Sequence, residues 1–192
     1  MNLVPCHLIN RQFFDFIQMH IKNGLIKANT IKFEITERLP IKNFILTSKY
    51  LGMFYELGVT SVIDDIGTGY GTFLYLNELG ARGIKIDKYF IDTINSNGGT
   101  KILDAIINLA NNLELEIIAE GVETDTQQTY LLKRGVYLQQ GYLFSQPLNA
   151  ESFRRKIVIS NIKRDNVENN TANKTVTLNL LGSKTNTHSL VL

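Results

Sequence analysis

Glu34 with Glu37, the pair Asp64 and Asp65, and Glu120 with Glu123 each stand where an apolar run hands over to a polar segment, as do Lys85 and Gln140. Glu34, Asp64, Asp65 and Glu120, once brought together, cannot all stay ionised without a counter-charge, and Lys85 alone is insufficient. An oxygen-only donor set of this kind suits Mg²⁺ or Mn²⁺ rather than zinc. Adjacent aspartates at a strand end place one carboxylate on each of two ions about 4 Å apart, an arrangement suited to water attack on a phosphodiester. The competing reading is that these are surface acids in loops, as most Asp and Glu are.

Gly67, Gly69 and Gly71 follow the aspartate pair directly. No Gly-Lys-Ser/Thr ending accompanies them, so a Walker-type phosphate loop is not supported. The stretch reads either as a mobile loop bordering a metal site or as an ordinary tight turn.

The elements that must position these groups alternate as strand and helix. Apolar runs predict strands at Leu3–Ile9, Ile31–Thr36, Thr60–Asp64, Gly83–Asp87, Glu116–Glu120 and Leu138–Phe144. Helical spacing appears in Arg11–Lys22, in Ile41–Leu57 with Pro40 as a first-turn proline and Gly58 as the stop, in Thr100–Leu113, and in Asp125–Arg134 capped by Thr124 and closed by Gly135. Repeated βα units of this length predict an α/β fold, a TIM-like (β/α) barrel in which about six strands are present. The carboxyl ends of barrel strands share one face, so groups scattered along the sequence converge on a single mouth.

Composition supports one folded domain and narrows the partners. The chain has 192 residues, 44% hydrophobic and 20% charged, with 20 basic and 18 acidic side chains. Residues 1–158 hold 16 of each sign, so the surplus of +2 lies wholly in residues 159–192. An evenly charged body argues against a nucleic-acid polymer as partner. The single cysteine, Cys6, excludes an internal disulfide and a cysteine-based zinc site. No apolar run is long enough to span a membrane and no signal-peptide layout opens the chain, so a cytoplasmic chain without membrane contact is expected. Met1 leads almost at once into an apolar run, as in a chain that begins inside a domain. Residues 159–192 hold seven Asn, five Thr and three Ser with no aromatic and no Pro, and are expected to be a disordered tail.

Five segments, in order, resemble the signatures of the EAL domain, the bacterial phosphodiesterases that linearise cyclic di-GMP. They are Phe33-Glu34-Ile35-Thr36-Glu37, Ile63-Asp64-Asp65-Ile66-Gly67-Thr68-Gly69-Tyr70, Ile84-Lys85-Ile86-Asp87, Ile118-Ala119-Glu120-Gly121-Val122-Glu123-Thr124 and Gln140-Gly141-Tyr142-Leu143-Phe144-Ser145-Gln146-Pro147-Leu148. The resemblance covers residues 1–158 and implies a two-metal Mg²⁺ or Mn²⁺ site that hydrolyses cyclic di-GMP to linear pGpG. It implies that Glu34, Asp64, Asp65 and Glu120 bind metal or position water, with Asp64 bridging. Lys85, Glu120 and Gln140 become the catalytic set, Lys85 holding or helping to deprotonate the attacking water. Glu37, Gly67, Thr68 and Gly69 would steady the loop that couples the site to a homodimer contact, and Glu123 would support the site.

The sequence also departs from the family. It contains no Glu-Ala-Leu triplet, and His7 falls where the family carries a metal-binding asparagine, aligned on Arg11-Gln12. His7 is therefore a further candidate ligand, weighed against a hydrogen-bonded core histidine. Ile66 and Gly71-Thr72 replace a phenylalanine and a serine pair. A complete barrel takes about 250 residues and eight strands, so an N-terminally truncated domain, slow or inactive as a hydrolase, is expected. The alternatives are a non-catalytic module that binds cyclic di-GMP or another protein, and a remnant without function.

Overall fold

The computed structural model describes residues 1–36, 41–67, 76, 78–96 and 99–156. Six strands form one sheet in sequence order, every neighbouring pair parallel. They are β1 (Asn2–Leu3), β2 (Lys32–Thr36), β3 (Thr60–Ile66), β4 (Gly83–Ile86), β5 (Glu116–Ala119) and β6 (Leu138–Gln139). The helices are α1 (Pro5–Leu8), α2 (Arg11–Lys22), α3 (Phe44–Glu56), α4 (Lys88–Asp92), α5 (Lys101–Asn112) and α6 (Asp125–Leu132). Residues 150–156 are helical at the end of the described chain. A parallel ladder with helical crossovers in unbroken order is a (β/α) barrel arrangement, with six strands among the described residues against the usual eight of a closed barrel.

Two faces are distinguished by period-two alternation. Along β2, Phe33 and Ile35 are fully buried while Lys32, Glu34 and Thr36 are half-buried. Phe33 faces the helices: its ring lies 4.8 Å from Phe54 of α3 and 5.9 Å from Phe13 of α2, centroid to centroid. Phe14 of α2 joins this aromatic cluster at 5.0 Å from Phe54. Each fully buried phenylalanine contributes about 2–3 kcal/mol of apolar burial, which makes this cluster a main anchor of the first two βα units.

The opposite face is polar, and the sheet curls around it. Lys32 at the start of β2 pairs with Glu116 at the start of β5, although three ladder steps in a flat sheet would hold these strands about 14 Å apart. Lys85 of β4 likewise reaches Glu34 of β2. Charged side chains therefore line the concave face, the pairs Lys32–Glu116 and Lys85–Glu34 bracing it at two levels.

Local chemistry sets the element ends: most expected bounds shift by one or two residues, β3 running on to Ile66, and three shift by more. The strand expected over Leu3–Ile9 stops at Leu3: Val4 is extended and Pro5 occupies the first helical position, where its fixed φ starts the turn Pro5–Leu8. The helix expected from Ile41 starts at Phe44, because Asn43 Oδ1 accepts from Leu46 N at 2.9 Å and caps it there. Pro40, expected in its first turn, lies outside the described residues. The strand expected over Leu138–Phe144 ends at Gln139, after which Gly141 redirects the chain. The cap at Thr124 is a full capping box with Gln127. Gly58 and Gly135 follow α3 and α6 at φ 85° and 79°. Among the described residues no helix is long and apolar enough to cross a membrane.

Candidate active site

Asp64 and Asp65 are neighbours in a strand, where regular alternation would aim them at opposite faces. β3 avoids this with a bulge. Its register against β4 runs Val62 to Gly83 and Ile63 to Ile84, then resumes at Ile66 to Ile86, so Asp64 and Asp65 together oppose Lys85. Asp65 carries φ 58°, a left-handed value that aspartate tolerates better than most side chains. Its N–H donates to Asp64 Oδ1 at 3.1 Å. The bulge brings both carboxylates to the same mouth, each half-buried.

Lys85 is the hub. It is 5% exposed, and its Nζ lies 3.0 Å from Glu34 Oε2, 3.1 Å from Asp64 Oδ1 and 2.5 Å from Glu120 Oε1. Burial alone would push this ammonium down, but the hydrogen bond and charge of Glu120, then those of Glu34 and Asp64, outweigh it and hold Lys85 above the ordinary lysine range. Glu120 moves up as well, first through burial and then through the neighbouring Asp64 and Glu34 charges, against the opposing pull of Lys85. Gln140 Nε2 donates to Glu120 Oε1 at 2.7 Å.

Four carboxylates against one ammonium leave the mouth strongly negative. Asp64, Asp65 and Glu120 each offer a carboxylate oxygen, all within 4.8 Å of one another. This all-oxygen set fits a hard divalent cation, which would supply the missing positive charge. The residues present thus suit the metal the sequence implied.

The turns behind the site are close-packed. Glu120 N–H donates to Ile86 O at 3.0 Å, and Val122 N–H donates to Gln140 O at 3.0 Å. Gly121 has φ 67° and Gly141 lies against the Val122 backbone, so both turns exclude a side chain. Gly67, also at a positive φ of 89°, packs on the Phe90 ring, where a Cβ would stand 2.8 Å from Cζ. Glu37, Thr68 and Gly69, expected to steady this loop, lie outside the described residues.

His7 is no core histidine. It is exposed on α1 and lines a cleft of about 260 Å³ with Asn2, Glu34, Thr36, Asp64 and Asp65. It stands outside the three-carboxylate group that could share one ion. Glu123 pairs with Lys88 at 3.1 Å instead of entering the mouth.

Sequence reasoning overlooked Thr36, Gln127 and Lys88. Thr36 was accessible from alternation, two steps beyond Glu34 on the same face. Gln127 is 1% exposed, and its Oε1 accepts from Glu123 N at 2.7 Å and Thr124 N at 3.0 Å. Its signal was the third position after the Thr124 cap. Lys88 had no sequence signal beyond its place after β4.

Fold and site together define a (β/α) barrel arrangement whose acidic mouth, braced by one lysine, has the donor set to take a divalent metal. The chain belongs to the EAL domain family, whose model matches residues 1–147. It is similar to the probable cyclic di-GMP phosphodiesterase PdeN of Escherichia coli, at 37% identity over 155 residues, 80% of this chain and 30% of that protein. The EAL domain of Mycobacterium smegmatis DcpA superposes with a TM-score of 0.76 at 32% identity, covering 82% of this chain and 71% of that one. Klebsiella pneumoniae BlrP1, solved as a manganese and cyclic di-GMP complex, superposes at 0.67 with 28% identity, covering 77% and 38%. The chain spans about a quarter of the length of the mycobacterial relatives it matches and 30% of PdeN.

Proposed function

We infer that this chain carries the metal-binding and water-handling part of a cyclic di-GMP phosphodiesterase. The observation that carries the reading is the position of Lys85 Nζ among Glu34, Asp64 and Glu120, with Asp65 beside them, contributed by the neighbouring strands β2, β3 and β4 and the turn after β5. The named activity of PdeN and the manganese and cyclic di-GMP bound to BlrP1 point the same way.

Asp64, Asp65 and Glu120, with Glu34 adjoining, would hold Mg²⁺ or Mn²⁺, which when bound would polarise a phosphoryl oxygen and make water a better nucleophile. Lys85, held protonated by its carboxylate neighbours, donates hydrogen bonds and orients the attacking water. Glu120, in contact with both Lys85 and Gln140, is placed to take part in handling that water. Gln140 fixes Glu120 and keeps a second amide hydrogen for water or a phosphate oxygen. Glu123, held by Lys88, supports the loop that carries Glu120. His7 faces the cleft from the β1 side, where it contacts the ligand or lends an imidazole to the metal set. Glu37, Thr68 and Gly69 keep their proposed loop role.

The functional domain in this reading is residues 1–158, with 159–192 a separate polar tail. Self-association and a cytoplasmic setting go with it. Without a Glu-Ala-Leu segment among its 192 residues the chain turns over slowly. Calorimetric titration with Mn²⁺ and then cyclic di-GMP tests the assignment. Binding of both, the nucleotide only after the metal, is expected. A chain that takes up neither contradicts it, and tight nucleotide binding with no turnover makes it a sensor instead.

A further inference from the structure

We propose that Lys88 is a positioning residue, a clamp that sets Glu120 against Lys85 and Asp64. The proposal rests on the metal-site reading given above. Lys88 opens α4 two residues beyond β4, so it lies close in sequence to Lys85 and close in space to the exit of β5. Its side chain covers Gly121, the residue that follows Glu120, so closely that a Cβ there would lie 2.5 Å from Lys88 Cγ. The missing Cβ of Gly121 is what allows this approach, and its positive φ favours glycine there as well.

The ammonium of Lys88 then joins its own helix to the turn, 2.8 Å from Asp92 Oδ1 and 3.1 Å from Glu123 Oε1. Asp92 Oδ1 also receives Gln127 Nε2 at 3.4 Å, and Gln127 Oε1 holds the N–H groups of Glu123 and Thr124. Residues 121–124 are thereby gripped from the β4 side by Lys88 and from the α6 side by Gln127. Glu120 is the next residue upstream, and its carboxylate must sit within one ion's reach of Asp64 and Asp65.

Lys88, Asp92 and Glu123 are 43–50% exposed at their side chains, so their ion pairs contribute little to global stability. Their effect is local, on where the Glu120 turn rests. This separates a positioning role from a structural one.

The experiment is Mn²⁺ titration of the full chain and of K88M, K88A and K88R, with thermal melting of each metal-free protein. K88M keeps most of the stem on Gly121 and removes the charge. Loss of a group that orients a metal ligand weakens affinity by about tenfold or more, so K88M is expected to bind Mn²⁺ about tenfold more weakly. K88A is expected to bind at least as weakly as K88M, and K88R to recover most of the affinity, with melting temperatures within about 2 °C of the parent. If the parent binds Mn²⁺ and K88M binds it equally well, the clamp is refuted while the site stands. If K88M loses affinity only in step with a large fall in melting temperature and K88R does not restore it, Lys88 is structural and the proposal fails. A parent chain that binds no Mn²⁺ overturns the functional reading and this proposal with it.

Discussion

Gly141 backs onto Val122 so closely that a Cβ on it would stand 2.1 Å from the Val122 carbonyl oxygen and 2.3 Å from its amide nitrogen. The contact joins the turn after β6 to the turn after β5, and with it Gln140 to Glu120. Gly141→Ala must push the two turns apart. A stability loss of about 2–3 kcal/mol is expected, together with weaker Mn²⁺ binding, because Gln140 can no longer reach Glu120. Denaturant melts and calorimetry check both. An unchanged melt would show that the turns are not held in this contact.

The bulge in β3 predicts opposite outcomes for two substitutions at one position. Asp65→Gly removes a carboxylate but suits the left-handed backbone, so Mn²⁺ affinity should fall while stability stays within about 1 kcal/mol of the parent. Asp65→Val loses the carboxylate as well, and a branched side chain there adds about 1–2 kcal/mol of strain. Equal stability of the two variants would mean that residue 65 is not left-handed in solution.

Lys85 is the counter-ion of the metal-free mouth, so Lys85→Met leaves Glu34, Asp64 and Glu120 facing one another uncompensated. The metal-free variant should lose about 2–3 kcal/mol, somewhat less than a fully buried pair would cost because the three carboxylates keep some solvent contact. Saturating Mn²⁺ should return part of that loss by binding the native state. Thermal melts with Mn²⁺ and with EDTA measure both. A variant as stable as the parent in EDTA would count against the buried ion cluster.

Away from the site, Asp104 of α5 accepts from Arg134 Nε at 2.5 Å and from the Tyr130 hydroxyl at 2.7 Å, and the guanidinium lies 3.4 Å from the Tyr130 ring centroid. Partial burial opposes ionisation of Asp104, but the Arg134 and Tyr130 hydrogen bonds prevail and hold its carboxyl below the usual carboxylate range. A pKa depressed by folding stabilises the native state above the unfolded value, and that contribution disappears as pH falls through the depressed one. Because both side chains are about one-third exposed, the contribution is at most about 1 kcal/mol. Asp104→Asn should therefore cost stability at pH 7, and the deficit should shrink as pH falls below the ordinary carboxylate range. A deficit that stays constant as the pH is lowered would assign the effect to packing.

The inner set of the site was legible in the sequence because chemistry and period coincide there: Glu34 and Lys85 each interrupt an apolar run and Glu120 ends one, and the structure brings them to one point. The aspartate pair was legible as chemistry but not as geometry, since nothing in Asp64-Asp65 announces a bulge. Strand length was misjudged where apolar residues continue past the last ladder partner. Leu8 is fully buried, yet it packs from a helical turn that Pro5 starts, and Leu143 and Phe144 pack on the core from beyond β6. Hydrophobicity reports burial in these segments and says nothing of hydrogen bonding. His7 looked like a core residue because it sits in that same apolar run, and the helical turn carries it out to the cleft rim instead. Lys88 was invisible because its importance comes from Gly121, a residue more than thirty positions away in the chain.

The most direct test is prolonged incubation of cyclic di-GMP with excess 192-residue chain, with Mn²⁺ or with EDTA, followed by chromatography of the products. Slow formation of linear pGpG that requires the metal and is lost in Asp64→Asn is expected. Product formation that survives EDTA or the Asp64→Asn substitution would contradict it, as would a chain that neither binds Mn²⁺ nor forms any product.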